Sequence, residues 1–425
     1  MSEQAASVRY LTRDGWLLLS TRGVRSFGYG FLSVILAIYL DLLGFDKLLI
    51  GAVLSATLLG SAAFTTFVSV YADKLGRRRV LVALALLMGT SGVIFAITTD
   101  TIALFVAAII GTLSPTGAEI GSFLPMEQAI LPQTTRQEKR NSVFATYNVV
   151  GTLSGAFGAL FSGMVVVFQG HGFEKLESYR LMFVIYAVLA FTVAVLYLAL
   201  SSRSELAEEH RRLPRKSLSP QTKAVIARLS ALFGVDAFAG GFVLQSIISY
   251  WFFLRYGVPE DELSVIFFVA QLLTTMSFYA AVWMAKHIGL INTMVFTHIP
   301  SNVFLMLVPL GDTFLLSLAF YLARQAISQM DVPTRQSYTV AIVEPDERTT
   351  VSGITSISRN VAQATSPSIS TYAMQVVSLS SPFLVGGSLK IVYDIAVYFN
   401  FRNIKPPEEV EREKRKAEKS SGGRG

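Results

Sequence analysis

Apolar runs of about 20 to 30 residues, the length that crosses a hydrocarbon core as helix, alternate along the whole chain with short polar turns. They fall at roughly 15–41, 47–71, 80–98, 101–124, 142–168, 180–200, 224–254, 262–285, 290–309, 313–335, 350–375 and 380–401. Lipid offers no hydrogen-bonding partner, so each backbone amide and carbonyl must be satisfied within its own segment, and runs this long predict helices. The pattern predicts an all-α membrane protein with twelve transmembrane helices.

Composition agrees. Of 425 residues, 52% are hydrophobic and 15% charged, with a mean hydropathy of +0.51; a soluble chain of this length needs more charge to cover its surface. The net charge of +7 does not point to nucleic acid, because the bases gather in short loops and the tail, where positive loops are retained on the cytoplasmic side. With the N-terminus inside, the inner loops carry Lys74, Arg77 to Arg79, Arg136, Lys139 and Arg140, then Arg203, Arg211, Arg212, Arg215, Lys216 and Lys223. The outer loops hold mostly Asp46, Lys47, Asp100, Glu174, Lys175, Glu177, Glu260, Asp261, Glu262 and Asp312. Both termini are therefore expected in the cytoplasm, and the membrane is expected to be the cytoplasmic one. The absence of cysteine excludes disulfides and thiolate metal sites. Met1 to Asp14 lacks a cleavable signal pattern, so the first span is expected to be its own insertion signal.

Residues 201–222 form the longest polar segment between spans. They are expected to be a cytoplasmic linker between two six-helix bundles, 1–200 and 223–401. Residues 402–425, with Pro406-Pro407 and a run of Glu, Lys and Arg, are expected to be a disordered cytoplasmic tail. The two halves match internally. Ala72-Asp73-Lys74-Leu75-Gly76 matches Ala285-Lys286-His287-Ile288-Gly289, and Gly30-Phe31 with Tyr39 matches Gly241-Phe242 with Tyr250. Pro125-Met126-Glu127-Gln128 matches Pro333-Thr334-Arg335-Gln336, followed by Glu138-Lys139-Arg140 against Asp346-Glu347-Arg348.

Between the second and third spans lies Ser69-Val-Tyr-Ala-Asp73-Lys-Leu-Gly76-Arg77-Arg78-Arg79. Gly76 lets the backbone reverse abruptly, and Asp73 can accept from a helix N-terminus or pair with an arginine. The order resembles the loop between helices two and three of the major facilitator superfamily, Gly-x-x-x-Asp-(Arg/Lys)-x-Gly-(Arg/Lys)-(Arg/Lys), with Ser69 in place of the first glycine. The resemblance extends over about residues 10 to 401 in span count, linker position and internal repeat. It implies two pseudo-symmetric six-helix bundles around one cavity lined by the first, fourth, seventh and tenth helices. It also implies transport by alternating access without chemical conversion of the solute, with Asp73, Gly76, Arg77 and Arg78 forming the conformational-switch loop. Marks of the drug–proton antiporters are missing: no arginine occurs between Thr101 and Gln133, and Ala156 stands near the expected fifth-span proline.

Ionisable residues inside spans are costly and normally face a cavity or a partner. Here they include Arg22, Arg25, Glu119, Glu127, Asp236, Arg324, Asp331, Arg335 and Arg359. At about 1.5 Å per residue, Arg22 and Arg25 lie roughly 12 to 17 Å beyond Asp14 and share one helix face. The internal match sets Arg25 opposite Asp236 and Glu127 opposite Arg335. Glu127 and Arg335 are accordingly expected to form a cytoplasmic gate pair, and Arg25 with Asp236 a deeper pair beside the solute.

A guanidinium in a dry cavity favours carboxylate or phosphate oxygens, which makes an organic or inorganic anion the expected substrate. Arg22, Arg25, Arg324, Arg359, Gln245 and Tyr29 are the expected binding residues. Glu119, Asp236 and Asp331 are candidates for proton coupling, because a carboxyl in low dielectric can load and unload a proton near neutrality. Ser114-Pro115-Thr116-Gly117 and Ser366-Pro367 should interrupt the fourth and eleventh spans. His298, alone in an apolar span, reads as structural rather than as a metal ligand.

The competing readings are a proton-driven drug or metabolite exporter, a membrane-embedded enzyme and a transporter-like sensor. Four scattered histidines and no Gly-Lys-Ser/Thr phosphate loop disfavour the enzyme and an ATP-driven pump. The protein is expected to act as a monomer in a lipid bilayer on a small-molecule substrate. It is expected to use protons for coupling and to need no cofactor, metal or nucleic acid.

Overall fold

The computed structural model describes residues 11–118, 121–136, 139–201, 220–341 and 348–402. These are helical throughout, apart from turns and one bridge between Leu11 and Thr135. The first half contains α1 (Arg13–Leu42), α2 (Lys47–Leu75), α3 (Arg77–Ile97), α4 (Thr101–Ile110), α5 (Phe123–Ile130), α6 (Arg140–Phe161), α7 (Met164–Gly170) and α8 (Lys175–Leu198). The second contains α9 (Pro220–Gly241), α10 (Gln245–Tyr256), α11 (Glu260–Ile288), α12 (Leu290–Leu307), α13 (Phe314–Ile327), α14 (Asp331–Ala341), α15 (Arg348–Val376) and α16 (Ser381–Phe401). The expected linker and tail lie almost wholly outside the described residues.

Nine helical segments among the described residues are long and apolar enough to cross a membrane. Three expected spans look different. The segments 101–124 and 313–335 are each split in two, into α4 with α5 and α13 with α14. The third, α15, is continuous over 29 residues but rich in Ser and Thr. Large apolar side chains remain at the surface, such as Ile102 and Leu315 at 74% and 73% exposure, as suits a hydrocarbon solvent.

The break after α4 follows from its sequence. Pro115 has no amide to donate, and Thr112, Gly117 and Gly121 take φ of 47°, 73° and 155°. The freed groups find new partners, as they must in a membrane. Ser246 donates to Pro115 O from its amide and its hydroxyl, both at 3.1 Å, and Ser114 donates to Ala118 O at 2.5 Å. Ser366-Pro367, by contrast, does not interrupt α15. Pro367 leaves the Gln363 carbonyl without its helical amide, and Ser366 Oγ donates to that carbonyl at 3.0 Å.

The acids of the expected outer loops also start helices. Asp46 accepts from Leu49 N and Asp100 from Ala103 N, each at 2.8 Å. Glu174 and Glu177 make a reciprocal capping box at the start of α8. Such caps each contribute about 1 kcal/mol.

The chain clusters into two compact units. Unit 1 comprises residues 1–214, 241–272 and 363–382; unit 2 comprises 215–240, 273–362 and 383–425. In unit 1, α1 runs along α6 and α8, and α3 lies on α8. The approach of α1 to α6 leaves no room for side chains: a Cβ on Gly30 would sit 2.1 Å from Gly155 O, and one on Gly158 would sit 2.0 Å from Phe27 O. In unit 2, Leu229, Phe233, Met294, Val295, Tyr338, Tyr393 and Val397 form a buried core joining α9, α12, α14 and α16.

Candidate functional site

In unit 1, the small-residue face of α1 lets Arg25 reach α5, the second half of the broken fourth segment. The guanidinium grips Glu127 of α5 through two nitrogens, Nη2 at 2.6 Å from Oε2 and Nη1 at 3.1 Å from Oε1. Thr21 and Tyr197 donate to Oε1, both at 2.7 Å, and Tyr147 donates to Oε2 at 2.5 Å. Arg25 also donates to Tyr197 Oη and lies over the Phe123 ring, 4.3 Å from its centroid. Both charged side chains have 0% exposure. A charged pair so fully desolvated is tolerable only when its hydrogen bonds are satisfied, and here the carboxylate accepts on both oxygens.

Unit 2 holds the counterpart with reversed polarity. Asp236 of α9 accepts from Arg335 of α14 at 3.1 Å and from Arg359 of α15 at 3.0 Å, both on Oδ2. Lys390 of α16 donates to its Oδ1 at 2.8 Å. Asp331, one turn before Arg335, accepts from the same Arg335 nitrogen at 2.7 Å. Three cations thus meet one carboxylate. Arg335 and Lys390 are about nine-tenths buried, whereas the Arg359 side chain is 27% exposed. Beside them His298 of α12 contacts Asp394 of α16 at 2.7 Å, Nδ1 to Oδ1, and Asn302 donates to Asp394 Oδ2 at 3.1 Å.

Within unit 1, then, Glu127 is bound by Arg25, and within unit 2 Asp236 is bound by Arg335, Arg359 and Lys390. Each of these charges finds an opposite charge on a neighbouring helix of its own unit.

The other expected site residues disperse. Arg22 lies over the Tyr147 ring, 4.9 Å from its centroid, against Gly151. Tyr29 is buried between Met88 and Tyr186. Arg324, near the end of α13, donates to Gln325. Gln245 donates to Ser33 Oγ at 2.9 Å and faces Gln271 at 3.5 Å, beside Gly117 of the unwound stretch. Glu119 lies outside the described residues, as does the Asp73 side chain. Gly76 joins α2 to α3 at φ 94°, Arg77 is buried, and Arg78 donates to the Leu198 carbonyl at the end of α8.

Lys390 and Asp394 were missed from sequence, although a lysine and an aspartate one turn apart within an apolar segment meet the same criterion of cost as the residues that were found. His298 was read as structural; its partner sits 96 positions away, beyond any local signal.

A sequence model described as the Major Facilitator Superfamily matches residues 18–330, well over half the chain. An uncharacterized membrane protein of Saccharomyces cerevisiae (strain ATCC 204508 / S288c) is 28% identical, covering 92% of this chain and 95% of that protein. Among solved structures, a mutant form of the nucleoside transporter NupG superposes with a TM-score of 0.72 at 15% identity, covering 91% of this chain and 99% of that one. The D-xylose-proton symporter gives 0.69 at 14%, covering 90% and 97%, and the human organic anion transporter TETRAN gives 0.59 at 14%, covering 91% and 99%. At these identities the structures establish the fold alone.

Proposed function

The chain belongs to the major facilitator superfamily and is a multi-pass membrane transporter rather than an enzyme, and we propose that its solute is a small organic or inorganic anion. The observation that carries this reading is the convergence of Arg335, Arg359 and Lys390 on Asp236. Asp331 also holds Arg335, so a solute anion would not fill an empty charge but compete with these carboxylates for the cations, Arg359 first, in a low-dielectric interior where such contacts are strong. Arg359, the most exposed of the three, is the residue that meets the solute first. Its planar fork suits a carboxylate or phosphate. Arg25, sealed onto Glu127, has a structural role and no contact with the solute. Arg22 and Arg324 are secondary candidates.

Transport follows from the rocking of two halves, residues 1–200 and 223–401, with twelve crossings and both termini in the cytoplasm. Coupling to protons is part of this reading. A second reading, a neutral hydrogen-bonding solute, is favoured by the amides and hydroxyl at Gln245, Gln271 and Ser33.

The deciding experiment is thermal unfolding of purified protein with inorganic phosphate, succinate, a lipophilic cation and a neutral polyol. A ligand present at 100 times its dissociation constant adds about 2.7 kcal/mol to apparent stability. Anions should stabilise the parent and lose most of that effect in Arg359→Gln. Stabilisation by the cation or the polyol alone would overturn the anion reading.

A further inference from the structure

Behind the Asp236 cluster, three polar side chains are buried between α12 and α16: His298 at 4% exposure, Asn302 at 0% and Asp394 at 2%. The contact of 2.7 Å between His298 Nδ1 and Asp394 Oδ1 holds one proton. With that proton on Nδ1 and Asp394 ionised, Nε2 is the imidazole nitrogen that can take a second proton. Asn302 donates to the other Asp394 oxygen, while its own Oδ1 and the adjacent Ser301 Oγ are buried without a hydrogen-bond partner among the described residues. Unpartnered buried polar atoms are uncommon and call for an explanation. Here they cluster on the histidine's own helix, with Pro300 inside that helix between His298 and Ser301. Proline frees a backbone carbonyl one turn earlier, which adds another polar group to the same stretch.

We propose that His298 and Asp394 form a proton-loading site whose occupancy sets the charge of the Asp236 cluster, and so couples proton uptake to anion binding. The coupling half of this proposal rests on the anion reading above; the proton site itself does not. Asp394 lies one turn beyond Lys390 on α16, and Lys390 contacts Asp236. Counting the Asp236 cluster together with the adjacent His298 pair, the cations Arg335, Arg359 and Lys390 equal in number the carboxylates Asp236, Asp331 and Asp394. With a neutral imidazole the group is balanced. A proton from solvent binds at Nε2, the imidazole becomes imidazolium, and its charge is paired with Asp394. One cation of the cluster is then in excess, and an anion restores neutrality. Loss of the proton returns Asp394 to Lys390 and expels the anion.

The groups that face His298 come from two helices: Asp394 and Tyr393 on α16, and the charge of Asp236 on α9. Tyr393 meets the imidazole edge to face, with ring centroids 6.2 Å apart.

Two measurements test this. The chain has four histidines, so the imidazole signals of ¹⁵N-histidine-labelled full-length protein in detergent can be resolved, and His298→Gln assigns one of them. His298 should pass from a singly to a doubly protonated ring across a pH titration, and the transition should move in Asp394→Asn. A ring that keeps one state throughout, or a transition indifferent to Asp394→Asn, overturns the proton site. This measurement needs no solute and can be made on the parent protein even if a variant folds poorly.

The second measurement is thermal stabilisation by phosphate and by succinate across the same pH range. If one proton accompanies each anion, apparent affinity rises about tenfold per unit of pH lowered, and His298→Gln flattens that slope. A slope that survives in His298→Gln, or its absence from the parent, overturns the coupling while leaving the anion reading intact. If neither anion stabilises the parent at any pH, the anion reading and the coupling fail together, and the imidazole titration alone decides whether the proton site exists.

Discussion

Glu127→Gln converts the acceptor at the centre of the unit 1 cluster into an amide of nearly the same shape. The parent carboxylate receives two nitrogens of Arg25 and the hydroxyls of Thr21, Tyr147 and Tyr197. The amide removes the negative charge and also places an NH2 donor where one oxygen faced only donors. Arg25, at 0% exposure, cannot turn to water. Stranding one member of a buried pair costs about 3–5 kcal/mol. Membrane proteins often unfold irreversibly, so the assay is the rate of heat inactivation of purified protein at fixed temperature, compared across variants. Glu127→Gln should inactivate much faster than the parent. Arg25→Met combined with Glu127→Leu should be more stable than either single variant, because neither charge is then left alone. Exchanging charges between Glu127 and Arg335 should give no rescue, with a coupling below about 0.5 kcal/mol. A Glu127→Gln protein within about 1 kcal/mol of the parent, or a larger coupling between positions 127 and 335 than between 25 and 127, would refute the assignment.

Gly30→Ala should destabilise by about 1–3 kcal/mol or more, because the new Cβ meets the Gly155 carbonyl at 2.1 Å and a backbone atom cannot step aside. Gly170→Ala, where nothing lies within 4 Å, is the control, and the same inactivation assay reads both. At the end of unit 1 that carries Glu260, that carboxylate accepts from Tyr179 at 2.5 Å and pairs with Lys175 at 3.4 Å, while Tyr250 donates to Asp41 at 2.5 Å. Glu260→Gln should loosen this end. Because the chain lacks cysteine, Ser249→Cys provides a unique reporter at a position with 0% exposure; its labelling by a thiol reagent should accelerate severalfold when Glu260→Gln is added, and an unchanged rate would show that Glu260 does not hold the end shut.

The helices were legible because period and length are local properties. Runs such as 80–98 and 180–200 leave a chain in lipid no alternative to helix, and they appear as α3 and α8. Pro115 and Gly117 announced the break in the fourth segment. Ser366-Pro367 did not break α15, because the serine hydroxyl repairs the carbonyl that proline frees, a compensation invisible to a count of helix breakers. Nor does sequence show the split between Ile327 and Asp331, where no proline or glycine stands. For the site, the cost of charge in lipid singled out Arg25, Glu127, Asp236 and Arg335, all of which lie in buried ion pairs. Partnership was not legible, because it depends on which helices touch.

The two units use equivalent positions for one purpose and then diverge. Arg25 with Glu127 and Arg335 with Asp236 are the same helix-to-helix salt bridge written with the charges exchanged. Reversal is neutral for an isolated pair, since attraction does not depend on which helix carries which sign. It stops being neutral once neighbours differ. Around Glu127 the neighbours are Thr21, Tyr147 and Tyr197, hydroxyl donors that add no formal charge, so the pair is closed to solvent and to further ions. Around Asp236 they are Arg359 and Lys390, which add two positive charges, and Asp331, which returns one negative. The first arrangement can only hold helices together. On the proposed anion reading, the second can exchange a partner, because a solute anion would compete with Asp236 for the same guanidinium. Divergent neighbours around equivalent pairs would then separate a helix-holding pair in one unit from a solute-facing one in the other.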